Sequence, residues 1–506
     1  MPEARLSQLA AAAGAALAGS DLTISSIAVD SRLVRPGDLF AALPGSRDDG
    51  LRHVPDALRR GAVAVLAAQA VPATPTIIAT DVRRALAASA AELQGHPARQ
   101  LRLVGITGTL GKTSTSLLLE SALAAGGVAV GAIGSLGVRS GPPRSAGSLH
   151  TSRMTTPDAP AVHASLRRLV ADGVGTVVME VTSHGIFQER VAGLGFAAGV
   201  FTNLVPDEHL EYHPSPQHYI ETKLRFLDLL APGAPLVVDA SNHRVLVRAR
   251  GNVVPVALEG AEDGVVRVEL RERHLNGALV VLHVREALPR VDGGVLPAGE
   301  IPLELLLMGR HQVANAALAA VTALLLGVGA DAVARAFADP PRLRRRMEVV
   351  WQGRPLVLDD TIGHPRSLRA LFEAVRPLTG GGLRIVFGIR GSRGPAVNQR
   401  LGEALAETLP TVTRGRGAHL VVTGSADLAD EANRVRDEER DAVLRALEAR
   451  NVPFLYEPTL AAAVDRALEG CRPEELVLLH GAQRMDGAAD LARARLSRAG
   501  PSPISP

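Results

Sequence analysis

The chain has 506 residues, 46% of them hydrophobic, which suits two to four folded domains and excludes a mostly disordered protein. Aromatic residues are only 3%, the formal net charge is +3, and no Lys/Arg run marks a DNA- or membrane-binding arm, so we expect no nucleic-acid or membrane partner. The single cysteine, Cys471, excludes an internal disulfide and a Cys-based zinc cluster and fits a cytoplasmic location.

Residues 1–97 are predicted to form a small α/β domain. The Ala-rich stretch Leu9–Leu17 could imitate a signal peptide, but acidic Glu3 precedes it and Gly14 interrupts it, so we expect a surface helix. Strands are predicted at Thr23–Val29 and Val63–Ala67, and a polar, Pro-containing stretch ends the domain.

Residues 98–340 are predicted to form a central domain with a parallel sheet. A strand at Leu101–Thr107 runs through a Gly-rich turn into a helix at Thr113–Ala124. A helix at Pro160–Ala171 then precedes a buried strand at Thr176–Val181. Strands that alternate with helices in this way are typical of a parallel sheet with helical crossovers.

The second half of the chain is predicted to finish this domain and to form a third, Rossmann-like one. Residues 264–306 alternate as antiparallel strands do, and a helix at Val313–Leu326 follows. The Pro- and Arg-rich stretch 339–346 is typical of a hinge, and residues 341–500 alternate strands with helices. The predicted strands of this third domain are Leu356–Asp359, Arg384–Phe387, His419–Thr423 and Leu476–Leu479. Residues 501–506 are predicted to be a disordered tail.

Lysine occurs at only two positions, Lys112 and Lys223, although the chain has 55 basic residues. Arginine therefore replaces lysine wherever a generic positive charge suffices. A retained lysine is a candidate for chemistry that guanidinium cannot perform, such as compact contact with phosphate or loss of a proton. Chance retention is the alternative.

The first lysine falls in a loop typical of phosphate binding. Thr107-Gly-Thr-Leu-Gly-Lys-Thr113 follows a strand and opens a helix, which is the context that a P-loop requires. Glycines let backbone N–H groups approach phosphate oxygens, the helix N-terminus adds positive potential, and Thr113 can bind Mg²⁺. The strict G-x-x-x-x-G-K spacing fails by one residue, and a chance glycine turn is the alternative. The pattern predicts an ATP site.

A second group of polar residues follows the strand at 176–181. Glu180 and His184 come at its end, His209 and His213 lie further on, and Lys223 lies on a predicted helix. A carboxylate and an imidazole beside a P-loop are suitable ligands for Mg²⁺ that bridges ATP and a second substrate. The i, i+4 histidines could imitate a zinc pair, but no Cys or H-E-x-x-H pattern supports zinc. His184 and His213 are equally compatible with structural roles.

These motifs together resemble those of the Mur ligases, the ATP-dependent amide-forming enzymes of peptidoglycan precursor synthesis. The chain is most similar to the type that adds the third residue to UDP-N-acetylmuramoyl-L-alanyl-D-glutamate. Asp30-Ser31-Arg32 with Pro36–Gly45 resembles that type's uridine-binding domain, and 107–113 resembles the family P-loop with Leu110 where Asn is usual. The resemblance implies three domains and an ADP-forming carboxylate–amine ligase.

The resemblance also implies roles for particular residues. Lys112, Glu180, His209 and Lys223 would be catalytic, and the last three with Thr113 would hold Mg²⁺. Lys223 would be carbamylated by CO₂, which arginine cannot undergo because its guanidinium stays protonated. The implied ATP contacts are Gly108, Thr109, Gly111, Lys112, Thr113, Ser114, Asn315, Arg346 and Asp360. The implied contacts with a UDP-muramoyl-peptide are Ser31, Thr155, Thr156, Thr182, Gln188, Arg190 and Arg393.

The third domain departs from the family pattern where the incoming amino acid would bind. The family's D-N-P-R, which reads diaminopimelate, is replaced by Ser425-Ala-Asp-Leu428, and its G-K-G-H-E by Gly481-Ala-Gln-Arg-Met485. Of the charged set in its G-G-D-R-D-K-G-K-R-P run, 390–399 keeps only Arg393. The sequence therefore predicts the ATP chemistry and leaves the amine substrate open.

The predicted reaction is attack of a substrate carboxylate on the γ-phosphate of ATP, followed by attack of an amine on the acyl phosphate. UDP-muramoyl-dipeptide and an amino acid are the expected small-molecule partners. The same chemistry on a non-peptidoglycan carboxylate is one alternative, and a nucleotide-binding pseudo-enzyme is another.

Overall fold

The computed structural model describes residues 2–45, 48–143, 148–150, 154–206, 212–258, 264–274, 277–361, 363–415, 417–428, 433–481 and 485–498. The predicted ligand His209 and the predicted tail 501–506 lie outside these residues. The chain divides into two compact units. The first comprises 1–272, 279–305 and 314–341, and the second comprises 273–278, 306–313 and 342–506.

The N-terminal part of the first unit contains a five-stranded sheet in the order β2-β7-β6-β5-β4. Its strands and the small pair β1–β3 are β1 Ala4–Arg5, β2 Ala16–Ala18, β3 Thr23–Ile24, β4 Ile27–Ala28, β5 Leu39–Ala41, β6 Ala64–Ala67 and β7 Thr76–Ile78. The helices are α1 Leu6–Ala12, α2 Val54–Arg59 and α3 Val82–Leu93.

The single strand predicted at Thr23–Val29 is wrong, because the chain changes partner within it. β3 pairs with β1 in a small antiparallel ribbon, whereas β4 pairs in parallel with β5. Ser26 lies between the two strands, and its hydroxyl forms a short hydrogen bond with the Asp38 carboxylate. The bend therefore has a polar partner that hydrophobic alternation does not reveal.

An eleven-stranded sheet dominates the middle of the chain, in the order β11-β10-β9-β12-β8-β13-β14-β15-β16-β17-β20. The strands from the middle of the chain are β8 Arg102–Thr107, β9 Val130–Gly134, β10 Gly137–Ser140, β11 Ser148–His150, β12 Thr176–Glu180, β13 Ala198–Phe201, β14 Leu236–Asp239, β15 Val253–Ala257, β16 Val266–His274, β17 Gly277–Val284, β18 Leu288–Pro289, β19 Val295–Leu296 and β20 Gly299–Leu305. The helices are α4 Lys112–Ala125, α5 Ala159–Ala171, α6 Ser183–Phe187, α7 Pro216–Leu224, α8 His243–Arg248, α9 Arg310–Leu325 and α10 Ala330–Ala338.

Strand β8 lies in the interior of this sheet and pairs in parallel with β12 on one side and β13 on the other. Its residues are buried on both faces, as a continuous apolar strand in a parallel sheet requires. A Cβ at Gly105 would lie 2.7 Å from the Phe226 ring, so glycine allows the aromatic packing beneath the strand. The carboxyl ends of three adjacent strands consequently meet at one edge, where ligands bind in such sheets.

The second unit contains a six-stranded sheet in the order β21-β22-β26-β23-β24-β25. Its strands are β21 Glu348–Trp351, β22 Leu356–Thr361, β23 Leu383–Gly388, β24 His419–Thr423, β25 Leu455–Glu457 and β26 Leu476–Gly481. Its helices are α11 Pro365–Val375, α12 Pro395–Thr413, α13 Asp437–Glu448, α14 Leu460–Leu468 and α15 Ala488–Arg498. All neighbours are parallel except β21 and β22, and apolar clusters cover the sheet.

The predicted α/β class is confirmed, and the three large sheets follow one another along the chain as the predicted three-domain architecture requires. The boundaries at residues 97 and 340 stay predictions. Within the described ranges, no helix combines the length and the apolar character needed to cross a membrane.

Candidate functional site

The loop between β8 and α4 has the backbone of a phosphate-binding loop. Gly108 and Gly111 adopt φ values of +136° and +84°, which favour glycine, and Gly111 caps α4. A Cβ at Gly111 would lie 2.3 Å from Oδ1 of Asn315, a predicted ATP contact that also accepts a hydrogen bond from Thr115 at 3.4 Å. Lys112 Nζ donates to the carbonyl oxygens of Gly108 and Thr109 at 2.9 and 3.0 Å.

Asn203 holds this loop from the next strand and was not predicted from the sequence. Its Oδ1 accepts from Leu110 N at 2.9 Å, and its Nδ2 donates to Leu110 O at 2.9 Å. Thr202 Oγ1 donates to the same carbonyl at 2.6 Å. Both residues follow β13 directly. A polar pair immediately after a buried strand is therefore the sequence feature from which they could have been predicted. Side-chain identity at Leu110 is thus irrelevant to this clamp, which uses only its backbone.

Glu180 lies at the end of β12 and connects the loop to the predicted substrate contacts. The carboxylate is buried; its Oε2 accepts from Thr113 Oγ1 at 2.9 Å, and its Oε1 accepts from Ser135 N at 2.9 Å. Ser135 Oγ donates to Oε2 at 3.2 Å and also lies 3.0 Å from Thr155 Oγ1. Ser135 was not predicted either; it joins the site because β9, which it follows, is the neighbour of β12.

The remaining predicted substrate contacts of the central sheet form one network beside Glu180. Thr156 Oγ1 donates to the Glu180 carbonyl oxygen at 3.0 Å and lies 2.9 Å from Thr182 Oγ1. Arg190 donates to Thr156 O and to Gln188 Oε1, both at 2.6 Å. Burial lowers the pKa of the Arg190 guanidinium from its ordinary value. These residues therefore fix each other in place before any ligand contributes.

Lys223 is buried on α7 and reaches the phosphate loop. Its Nζ donates to Gly108 O at 2.7 Å and lies 5.2 Å from the centroid of the Tyr219 ring. Tyr219 in turn places its hydroxyl 2.9 Å from Thr109 Oγ1. The helix is therefore attached to the loop through a lysine and a tyrosine one turn apart.

The histidines of the region pack among aromatic rings. The ring centroids of His184 and Tyr212 lie 4.0 Å apart, and Nδ1 of His213 lies 2.9 Å from Nδ1 of His218. Among the residues that the structure describes, no group of three or more His, Cys, Asp or Glu side chains is arranged to hold a metal ion.

Three predicted residues, Arg346, Asp360 and Arg393, belong to the second unit. The Asp360 carboxylate, at the end of β22, accepts from Met347 N at 2.9 Å. Burial raises the pKa of Asp360 to about 7, and Arg346 acts in the opposite direction. Arg393 N donates to Glu439 Oε1 at 2.8 Å.

Two further residues predicted to contact ATP or substrate are Ser114 and Ser31. Ser114 is buried in the first turn of α4. Ser31 lies in the N-terminal sheet region, and its hydrogen bond is the main cause of a lowered pKa at the Asp56 carboxylate.

Three family models match successive parts of the chain. "Mur ligase family, catalytic domain" matches residues 23–105, "Mur ligase middle domain" matches 106–323, and "Mur ligase, glutamate ligase domain" matches 345–483.

The chain is also similar to individual proteins over most of its length. A UDP-N-acetylmuramoyl-L-alanyl-D-glutamate–2,6-diaminopimelate ligase of Alkalilimnicola ehrlichii is 34% identical, over 91% of this chain and 90% of its own. A UDP-N-acetylmuramyl-tripeptide synthetase of Roseiflexus is 34% identical, over 90% and 89%. The solved structure of a MurF ligase from Thermotoga maritima in complex with ADP shares the fold with a TM-score of 0.62 at 19% identity, over 94% and 98%.

Proposed function

We propose, since the chain belongs to the Mur ligase family, that this ATP-dependent, ADP-forming amide ligase extends a UDP-muramoyl-dipeptide by one amino acid. The relatives named above act, by their names, on UDP-N-acetylmuramoyl peptides, and the chain matches them over nine-tenths of their length. The donor substrate would therefore present its terminal carboxylate, and an α-amino group would be the acceptor.

One observation carries this proposal: Glu180 joins the nucleotide loop to the predicted peptide contacts. Its side chain bonds Thr113 in the first turn of α4, and its carbonyl oxygen bonds Thr156. A carboxylate substrate held by Thr156 and Arg190 would consequently lie beside the γ-phosphate. Such positioning supplies most of the catalysis in phosphoryl transfer.

The chain's own residues then serve two steps. In the first, a carboxylate oxygen of the substrate attacks the γ-phosphorus and ADP leaves, giving an acyl phosphate. In the second, the amine attacks the acyl carbon, phosphate leaves, and the amine loses a proton. Lys112 and the N-terminus of α4 stabilise the negative charge that builds on the phosphoryl oxygens.

Mg²⁺ fits the oxygen donors that the site offers. The Thr113 hydroxyl and the Glu180 carboxylate lie 2.9 Å apart at the helix N-terminus, and hard oxygen ligands are what Mg²⁺ prefers. Bound there, Mg²⁺ would neutralise phosphate charge during transfer. His209 remains a predicted second ligand.

We also propose that the Lys223 amine reacts with CO₂ to form a carbamate. The amine is buried and shares the Gly108 carbonyl with Lys112. A primary amine can lose a proton and add to CO₂, which guanidinium cannot do. A carbamate N–H could keep the hydrogen bond to Gly108 while its oxygens provide further ligands for Mg²⁺.

The amine substrate is proposed to lack the second charged centre of diaminopimelate or lysine. Two residues of the replaced motif are already engaged within the protein. Asp427 accepts from Leu460 N and Ala461 N at 2.7 and 3.2 Å, which caps α14, and the Ser425 hydroxyl is buried beside Met485 Sδ at 3.9 Å. Neither side chain is placed to bind the second ammonium or carboxylate group of such an amino acid.

The test is mass spectrometry of the products formed from UDP-muramoyl-dipeptide, ATP and a mixture of amino acids. We expect one product heavier than the dipeptide by an amino-acid residue, with one ADP per bond. Lys112→Ala, which removes the phosphate contact, should form none while binding the muramoyl substrate normally. Amine-dependent ADP release with other carboxylates, but none with UDP-muramoyl-dipeptide, would replace the proposed substrate by a non-peptidoglycan one.

A further inference from the structure

A cavity of about 500 Å³ lies within the first unit. It is bounded by α1, α3, α5 and the segments that follow α6 and α7. Its apolar wall includes Ala12, Ala88, Ala91, Ile186, Val191 and Leu229. This volume lies in the range of small-molecule sites, which combine apolar walls with a few polar groups.

The charged groups on the wall favour an anion. Arg84, Arg99 and Arg225 face two carboxylates, Glu189 and Asp228. Asp228 already pairs with Arg248 at 3.5 Å. Arg99 donates its backbone N–H to His96 O at 3.0 Å. Across the portion of the chain that the structure describes, its side chain forms no hydrogen bond or ion pair, so one guanidinium of the wall is unused. The cavity therefore has more positive than negative charge available for a ligand.

Glu189 is the internal anion that pairs with both of the other arginines, and Arg84 Nε also lies 3.7 Å from Asp81 Oδ2. Arg84 Nε, on α3, donates to its Oε2 at 3.3 Å, and Arg225, two residues after Lys223, pairs closely with its Oε1. Glu189 has a φ of +55°, a left-handed conformation that is uncommon and strained for a residue other than glycine. The two ion pairs therefore hold a segment whose backbone alone does not favour this shape.

His163 adds an independent sign of a missing partner. The residue is 2% exposed, forms part of the cavity wall, and neither ring nitrogen has a hydrogen-bond partner among the described residues. Burial, and secondarily the nearby His96, lower the pKa of His163 to about 4, so the ring is neutral at pH 7. A neutral imidazole has one donor and one acceptor, and buried polar groups are normally paired.

We propose that this cavity binds a small molecule with an anionic group on an apolar body, and that the ligand's anion competes with Glu189 for Arg84 and Arg225. Release of Glu189 would alter its neighbours Gln188 and Arg190; Arg190 donates to both Gln188 Oε1 and Thr156 O. The cavity is therefore an effector site: its ligand would act on the predicted substrate contacts Thr156, Gln188 and Arg190 and would not contact ATP.

The test uses 1-naphthoate and 1-naphthyl phosphate as probes, with 1-naphthalenemethanol as the uncharged control, in calorimetric titrations of the full-length enzyme. Both anions should bind about two- to fivefold more tightly than the alcohol, since this is the gain in affinity that a partly exposed ion pair supplies. The difference should shrink in high salt. Equal binding of all three probes would overturn the anionic character of the site.

Matched variants locate the site. Ala12→Trp places a large ring at the cavity mouth and should abolish probe binding, whereas Ala11→Trp, its exposed neighbour outside the lining, should not. Arg99→Gln should weaken only the anions, and Arg167→Gln on the exposed face of α5 should change nothing. Unchanged binding to Ala12→Trp would place the probes elsewhere and end the proposal.

Competition is tested by Glu189→Gln. Removing the internal carboxylate should tighten binding of both anions and leave the alcohol unaffected; weaker or unchanged anion binding would refute competition with Glu189. These titrations measure binding without turnover. Their outcome is therefore independent of the mass-spectrometric test of the proposed ligase reaction.

Discussion

Lys112 and Lys223, the only two lysines in the chain, donate hydrogen bonds to the same acceptor, the carbonyl oxygen of Gly108, at 2.9 and 2.7 Å. One lies at the start of α4 and the other on α7, 111 positions later. Guanidinium is planar and remains charged, so arginine would serve neither compact contact with phosphate nor reaction with CO₂. Both positions therefore retain lysine for the same reason: their side chains meet at the phosphate loop, where arginine cannot replace them.

We expect Lys223→Ala and Lys223→Arg to lose activity equally, by about 100-fold or more, because neither can form the proposed carbamate. Short carboxylic acids should partly restore the alanine variant by occupying the space left beside the metal. Incubation with ¹³C-bicarbonate should give a carbamate NMR signal in the wild-type protein and none in Lys223→Arg. An arginine variant with near-normal activity would show that position 223 needs only a cation.

Gly111→Ala should impair nucleotide binding by at least about tenfold, because its Cβ would lie 2.3 Å from Asn315 Oδ1 in addition to the strain at φ +84°. Gly127→Ala is the matched control. It has a similar φ of +79° with nothing within 4 Å, so it should cost about 1 kcal/mol of stability and leave ATP affinity unchanged. Equal ATP affinities in the two variants would mean that Asn315 does not confine the loop.

Asp360→Asn should change how stability depends on pH. Burial raises the pKa of Asp360 from 3.8 to about 7, so between these values the folded protein binds a proton that the unfolded chain has released. This carboxyl therefore reduces the free energy of unfolding as pH rises from 4 to 7. Denaturant titrations from pH 5 to 8 should show the stability of Asp360→Asn, relative to wild type, increasing with pH. A difference independent of pH would contradict the raised pKa.

Glu439→Gln should destabilise the second unit by about 2–3 kcal/mol, because hydrogen bonds to a charged group are the stronger ones. Its carboxylate accepts from the backbone N–H groups of Ser392, Arg393, Gly394 and Arg436 at 2.7–3.1 Å. Burial acts to raise the pKa of Glu439, but these four donors outweigh it and the net pKa is lowered. The stabilisation is thus present above the unfolded pKa and is lost as pH falls through the folded one. Denaturant unfolding of the exposed control Glu438→Gln should match wild type.

Diaminopimelate and lysine should each give kcat/KM values at least about tenfold below that of the best amino acid, because a charged group without its partner costs at least 1.4 kcal/mol. ADP release with single amino acids measures this directly. Efficient turnover with diaminopimelate, the substrate named for the Alkalilimnicola relative, would show that residues outside 425–428 and 481–485 read the amine.

The sequence was most informative where a motif and its strand are contiguous. The strand at His419–Thr423 and the phosphate loop were predicted from local pattern alone, and the structure has both. Ser135 and Asn203 could not be found in this way, because their contacts depend on which strands become neighbours in the sheet. The capping role of Asp427 likewise depends on α14, which begins 33 residues further along.

The order of the strands has a consequence for synthesis on the ribosome. β8, which carries the phosphate loop, emerges first, but its partners β12 and β13 extend to residue 201, and the Asn203 clamp and Lys223 follow them. A nascent chain that ends before residue 202 contains the whole glycine loop without Thr202, Asn203 and Lys223, which hold it. We therefore expect nucleotide binding to begin only after residue 223 has been made, and ATP to stabilise only those chains in which the central sheet has formed around β8.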